Sequence, residues 1–305
     1  MARAASHKED VHSQIHHGTI RANGVDFAFL EAGAGPLLLL LHGYPDNAWT
    51  WEAQIPPLAE AGYRVVAPFL RGYPPTEVVA GGYHDRATLA LDIACLIEAL
   101  NGSEPCNLVG QDWGAALSYG VLAAFPERVR RAVVMAIPHP AMIARSLTSP
   151  AQIHRAFHWW FFQLPNLPEQ VVPADDFALI DYLWNDWSPG HADTAHIARI
   201  KTMLAEPGAV AATLDYYRAA FNPARQDPAL AGLRARLDGL ITVPTLALCG
   251  ADDVRVEPMS AQSHQFTGPY RFDVVPGCAH FLHRERPDEI TGRILEWLKD
   301  ARPPA

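Results

Sequence analysis

The residues with the clearest chemical meaning stand at Gly110-Gln111-Asp112-Trp113-Gly114-Ala115. A strand-like segment, Cys106 to Gly110, runs almost directly into a helical one, Trp113 to Phe125. A turn that tight strains its central residue and brings the backbone close to its neighbours, so glycines belong on both sides. This is the pattern of a nucleophile elbow, with aspartate in the nucleophile's place. An aspartate there projects from the carboxyl end of a strand, at a helix N-terminus whose dipole favours the charged form. A carboxylate is a nucleophile at neutral pH without a base to deprotonate it. The commoner use of aspartate before a helix is as an N-cap, and the motif alone leaves that open.

Three other segments follow strand-like runs. Leu41-His42-Gly43-Tyr44-Pro45 closes the aliphatic run Leu37 to Leu41, and Gly250-Ala251-Asp252-Asp253-Val254 closes Val243 to Cys249. Gly277-Cys278-Ala279-His280-Phe281 comes after Tyr270 to Val275. A carboxylate in the second loop can orient a histidine in the third, and the chain order is then nucleophile, acid, histidine. Each segment is weak by itself. Together they place complementary chemistry at the carboxyl ends of several strands.

The elements that must carry these loops alternate. Ile20 to Phe27 reads as a hairpin with Asn23-Gly24 at its turn. Leu37–Leu41, Arg64–Ala67, Cys106–Gly110 and Val129–Ile137 read as strands, separated by helices over Trp51–Ala61, Thr88–Leu100 and Trp113–Phe125. From Pro138 the rhythm breaks into helical and irregular chain, and it returns with the strands near 245 and 270 and a closing helix from Pro287 to Leu298. The expected fold class is α/β, a mostly parallel sheet with helices on both faces. The expected organisation is a polar tail over 1–17, a core domain over 18–137 and 241–305, and a helical insertion over 138–240.

The chain resembles the α/β-hydrolase superfamily, in its epoxide hydrolase and haloalkane dehalogenase branch, and most of all the epoxide hydrolases. The resemblance runs from about Gly18 onward and rests on His42-Gly43-Tyr44-Pro45, Arg71-Gly72-Tyr73, Gly110 to Gly114, Phe125-Pro126-Glu127-Arg128-Val129 and Gly277 to His280. An aspartate nucleophile followed by Trp-Gly marks that branch rather than esterases or lipases. The resemblance implies a triad of Asp112, Asp253 and His280, with Asp252 as the alternative acid. It implies an oxyanion hole made by the Tyr44 and Trp113 amides.

The insertion resembles the cap of the same enzymes. Matching Phe157 to Gln163 and Leu214 to Arg218 to the family puts His158 and Tyr217 where two cap tyrosines usually protonate the epoxide oxygen. His42, Trp113, Trp159 and Tyr216 are the further residues expected at the substrate. The implied activity is hydrolysis of an apolar epoxide to a vicinal diol through an ester on Asp112. The alternative is a haloalkane-type dehalogenase with the same nucleophile and a halide site of Trp113 with His158 or Trp159. Residues 113–118 hold no arginine, which speaks against a substrate carboxylate of the kind that fluoroacetate dehalogenases hold.

Composition narrows the remainder. Of 305 residues, 24 are Lys or Arg and 33 are Asp or Glu, a formal net charge of −9. Such a surface does not suit phosphate neutralisation, so nucleic acid is not expected as a partner. The longest aliphatic run of note is far short of the ~20 residues that cross a bilayer. The N-terminus has no apolar core of a signal peptide. Cys95, Cys106, Cys249 and Cys278 show no CxxC spacing, so no zinc or redox site is expected and a reducing cytoplasm is the simplest compartment. His7, His12, His16 and His17 read as a solvated tail rather than metal ligands. No metal and no cofactor are expected, and a monomer or homodimer is.

Overall fold

The computed structural model describes residues 15–146, 150–191 and 193–299. Eight strands form one sheet: β1 His16–Ala22, β2 Val25–Ala32, β3 Leu37–Leu41, β4 Arg64–Pro68, β5 Cys106–Gln111, β6 Val129–Met135, β7 Thr245–Gly250 and β8 Tyr270–Val275. Their order is β1-β2-β4-β3-β5-β6-β7-β8. The β1–β2 and β2–β4 pairs are antiparallel and the rest are parallel. β1 begins at His16, so the expected tail boundary at residue 17 falls inside the sheet; residues 1–14, with His7 and His12, lie outside the described residues.

A parallel strand covered on both faces has no side that needs polar residues. The five leucines of β3 are accordingly all buried, each contributing roughly 1.5–3 kcal/mol of hydrophobic stabilisation. The covering helices are α1 Ile55–Glu60, α2 Arg86–Asn101, α3 Trp113–Ala124 and, near the end of the chain, α12 Val256–Ser260, α13 Leu282–Glu285 and α14 Pro287–Lys299. The helix expected from Trp51 starts only at Ile55. Asn47 caps a short 3-10 turn over Ala48–Trp51, and Pro56-Pro57 fits a first helical turn but not an interior.

Between β6 and β7 the described residues hold helices and no strand: α4 Pro140–Ser146, α5 Pro150–Arg155, α6 Phe157–Phe161, α7 Leu167–Val171, α8 Ala174–Trp187, α9 Thr194–Leu204, α10 Ala209–Phe221 and α11 Ala231–Arg234. All four cysteines are free thiols. No helix of the described residues is long and apolar enough to cross a membrane.

The strand order reverses around β3, which lies between β4 and β5. In open α/β sheets such a reversal opens a crevice at the carboxyl ends of the strands. The loops after β3 and β5 meet there.

Candidate active site

β5 ends at Gln111 and α3 begins at Trp113, so Asp112 alone makes the turn. Its backbone has φ 52° and ψ −119°, a region that costs an L-residue free energy and persists only where the surroundings impose it. The surroundings here are glycines at close approaches. A β-carbon on Gly110 would lie 2.3 Å from the Gly114 carbonyl oxygen, and one on Gly114 would lie 2.2 Å from the Leu41 carbonyl oxygen.

Asp112 occupies the N-cap position of α3, but its side chain makes no capping bond. Its Oδ1 instead accepts a hydrogen bond of 3.0 Å from the Tyr44 amide, in the loop after β3. Its Oδ2 lies 3.4 Å from His280 Nε2. That contact is an ion pair rather than a formed hydrogen bond, because His280 Nε2 is buried without a hydrogen-bond partner.

His280 Nδ1 is 3.0 Å from Asp253 Oδ2. Asp253 Oδ1 accepts the Arg255 amide at 2.9 Å, which orients the carboxylate. Asp252 is exposed. Between the two candidate acids, Asp253 is therefore the one that meets the histidine. Burial pulls the His280 pKa down, but its interactions with the Asp112 and Asp253 carboxylates outweigh burial and lift it to about 9.

Two cavities meet at this carboxylate. The first, about 220 Å³, is bordered by Asp112, Trp113, Trp159, Tyr217, Phe221 and Leu237. The second, about 140 Å³, is bordered by Asp112, His158, Trp159, Trp187, Arg255 and His280. Asp112 and Trp159 border both. The Trp113 and Trp159 indoles run nearly parallel, 6.5 Å between centroids.

Tyr217, on α10, sets its ring edge-on to Trp113, Tyr44 and His158. Burial, then the nearby Asp112 charge, raises its pKa well above the ordinary phenol value, so the hydroxyl keeps its proton. His158, on α6, is buried and its Nδ1 has no hydrogen-bond partner. Burial first, then Arg255 and His280, pull its pKa well below that of a free imidazole, so the ring is neutral and carries one N–H.

Two residues expected at the substrate lie away from both cavities. His42 borders neither cavity. Its Nε2 accepts the Leu70 amide at 3.0 Å and its Nδ1 faces the Gly43 carbonyl at 2.9 Å, so the ring ties two loops together behind the site. Tyr216 also borders neither cavity; its hydroxyl donates to the Arg71 carbonyl at 2.7 Å and its ring packs edge-on against Trp113. Trp187 is a site residue that the sequence does not mark. Its carbonyl accepts the His280 amide at 3.2 Å and its ring stands against the imidazole. Its one sequence signal is its place in an insertion that also holds Trp159, Trp160 and Trp184. Among the described residues no group of three or more His, Cys, Asp or Glu could hold a metal ion.

The family profile for the alpha/beta hydrolase fold matches residues 36–287. The chain belongs to that family, and its enzyme class is hydrolase. Among curated relatives, AB hydrolase superfamily protein YfhM of Bacillus subtilis (strain 168) is 31% identical over 290 residues, spanning 92% of this chain and 97% of YfhM. Epoxide hydrolase 4 of Mus musculus is 28% identical over 298 residues, spanning 92% of this chain and 78% of the mouse protein. The crystal structure of epoxide hydrolase A from Mycobacterium thermoresistibile superposes with a TM-score of 0.78 at 25% identity, covering 94% of this chain and 98% of that one.

Proposed function

We propose that this protein is an epoxide hydrolase that opens an apolar epoxide through an ester on Asp112, and that the helices between β6 and β7 form its cap. One observation carries the reading: a proton-bearing Tyr217 borders the same cavity as Asp112. An acid opposite the nucleophile is needed to leave an alkoxide and is superfluous for a halide. The likeness to curated epoxide hydrolases supports the same conclusion.

Asp112 Oδ1 is held by the Tyr44 amide, which leaves Oδ2 to attack an epoxide carbon. The carbon–oxygen bond breaks as Oδ2 bonds to carbon, and the departing oxygen takes a proton from Tyr217, with His158 N–H as the second donor. Tyr217 is reprotonated from water. The ester carbonyl is then Oδ1, already at the Tyr44 amide, with the Trp113 amide as its second donor.

Before this step His280 is charged at neutral pH and is no base. Ester formation removes the Asp112 charge, one of the two that hold the His280 pKa up, so the imidazolium gives its proton to water, which balances the proton that Tyr217 takes back, and the neutral imidazole can then accept one. It deprotonates a water that attacks the Asp112 carbonyl carbon and returns the proton to the diol as the acyl–oxygen bond breaks; the Asp112 carboxylic acid so formed then passes its proton to His280, which restores the starting carboxylate and imidazolium. Asp253 holds the ring throughout. Asp112 thereby keeps one oxygen from water.

A single turnover in heavy-oxygen water tests this. Label in the Asp112 carboxylate is expected; its absence would exclude the ester route. The second reading, haloalkane dehalogenation, draws on the parallel Trp113 and Trp159 indoles beside Asp112. Halide release with no diol formation across a substrate panel would favour it instead.

A further inference from the structure

We propose that Trp184 and His196 are positioning residues that hold the Tyr44 amide against Asp112 from the inserted helices. The inference rests on the ester mechanism proposed above. It assigns part of the insertion a second task, the setting of oxyanion geometry.

The loop after β3 is gripped from the insertion at two successive residues beyond Tyr44. On α8, the Trp184 indole N–H donates to the Pro45 carbonyl at 2.9 Å. On α9, His196 Nε2 lies 2.6 Å from Asp46 Oδ1, and both side chains are fully buried. Burial pushes the Asp46 pKa up, but the His196 interaction and its smaller neighbours outweigh burial, so the carboxylate is ionised and the imidazole N–H is the donor. A charged, fully buried hydrogen bond is among the stronger ones a fold can make, because neither partner retains water as an alternative. Asp46 Oδ1 also accepts the Asn47 amide at 2.7 Å, which ties the carboxylate to its own loop.

The same stretch of the insertion reaches the histidine loop. The Trp184 indole stacks flat on Phe281, the residue after His280, with 3.6 Å between centroids and 4° between planes. Ser188 Oγ accepts the Phe281 amide at 3.1 Å. Trp184 thus spans the loop that supplies the oxyanion donor and the loop that supplies the base. Neither Trp184 nor His196 borders the two cavities at Asp112. Both are placed to set a donor's position, and neither is placed to meet a substrate there.

The oxyanion donor acts when water attacks the ester, so a loosened loop should slow ester hydrolysis more than ester formation. Trp184→Phe removes the indole N–H together with the five-membered ring and keeps a six-membered ring for the stack on Phe281; His196→Gln takes the imidazole out of the buried pair. Rapid-quench mass spectrometry on the full chain with a reactive styrene-type epoxide would read both phases, with His280→Gln as the control that traps the ester. Both variants are expected to slow hydrolysis by roughly tenfold or more, below the ~10²–10³ lost with a whole donor. Ester formation should stay within about twofold of the parent, a factor that corresponds to little lost transition-state binding. An equal slowing of both phases, or no slowing in Trp184→Phe, overturns the inference. If His196→Gln does not fold, Trp184→Phe decides alone. If His280→Gln traps no ester, the mechanism itself fails, and that outcome is distinct from a failure of the positioning role.

Discussion

Gly43 and Asp112 share a single space: a β-carbon on Gly43 would lie 2.4 Å from the Asp112 β-carbon and 2.6 Å from its Oδ1. The approach brings the next amide, that of Tyr44, to the Asp112 carboxylate.

Gly43→Ala should therefore move the carboxylate or the amide, since Asp112 is fixed by a strained backbone and has no flexible end to withdraw. Turnover is expected to fall about 100-fold or more, in line with losing an oxyanion donor. Stability should fall by about 1–3 kcal/mol, as overpacking costs. Steady-state rates beside a denaturant titration check both, and unchanged turnover would show that the close approach is dispensable.

His280 links stability to pH. Its folded pKa of about 9 lies above the ordinary imidazole value of 6.5. A raised pKa means that the folded state binds the proton more tightly, so its contribution is complete below about 6.5 and is lost as pH rises through about 9. The size is roughly 3 kcal/mol at 1.36 kcal/mol for each pKa unit. Asp112→Asn removes one of the two supporting charges, so the loss of stability between about 6.5 and 9 should shrink. Urea titrations of both proteins across that range measure it; equal slopes would count against the Asp112–His280 coupling.

Tyr217→Phe should slow epoxide opening by about 10²–10⁴, the usual worth of a placed acid, and leave the hydrolysis of a preformed ester near its parent rate. A haloalkane, if turned over at all, should not feel the change. Rapid-quench measurement of the two phases separates these cases, and an unaffected opening step would remove Tyr217 from the mechanism.

Arg284 joins the two parts of the chain. Its buried guanidinium pairs with Asp193 before α9 and with Glu52 after the 3-10 turn, and it donates to the Trp49 and Thr50 carbonyls. Arg284→Met leaves Asp193 and the two carbonyls without their cation, while Glu52 keeps Arg199, and should cost about 3–5 kcal/mol, as truncating one side of a buried pair does. A denaturant titration reads this directly; a change below 1 kcal/mol, in the range of an exposed pair, would show that the network is solvated.

The parallel core was legible because its strands have no solvent face. Leu37–Leu41 and Leu246–Cys249 are continuous apolar runs, and the glycines at 110 and 114 mark a turn that other residues would obstruct. The wall of the site was less legible, because neighbouring residues on a helix point about 100° apart and sequence does not give the helix's rotation. Tyr216 and Tyr217 show this: the Arg71 carbonyl takes one hydroxyl, while the other residue borders the cavity. The direction of the His42 ring is illegible for a similar reason. The motif located its loop, but the ring turns inward to the Leu70 amide. The contacts of Trp184, Trp187 and His196 were hidden because they join segments far apart in the chain.

The meeting of two cavities at one carboxylate bears on stereochemistry. Under the proposed reaction, a molecule with unequal arms can be seated in two senses, exchanging which arm lies toward Phe221 and which toward Arg255. The two seatings present different ring carbons to Asp112. Each inverts the carbon it attacks, so the handedness of the diol depends on how the arms are shared between an apolar chamber and a more polar one. Trp159, common to both walls, becomes the residue at which that preference can be re-cut without touching the groups that make and break bonds.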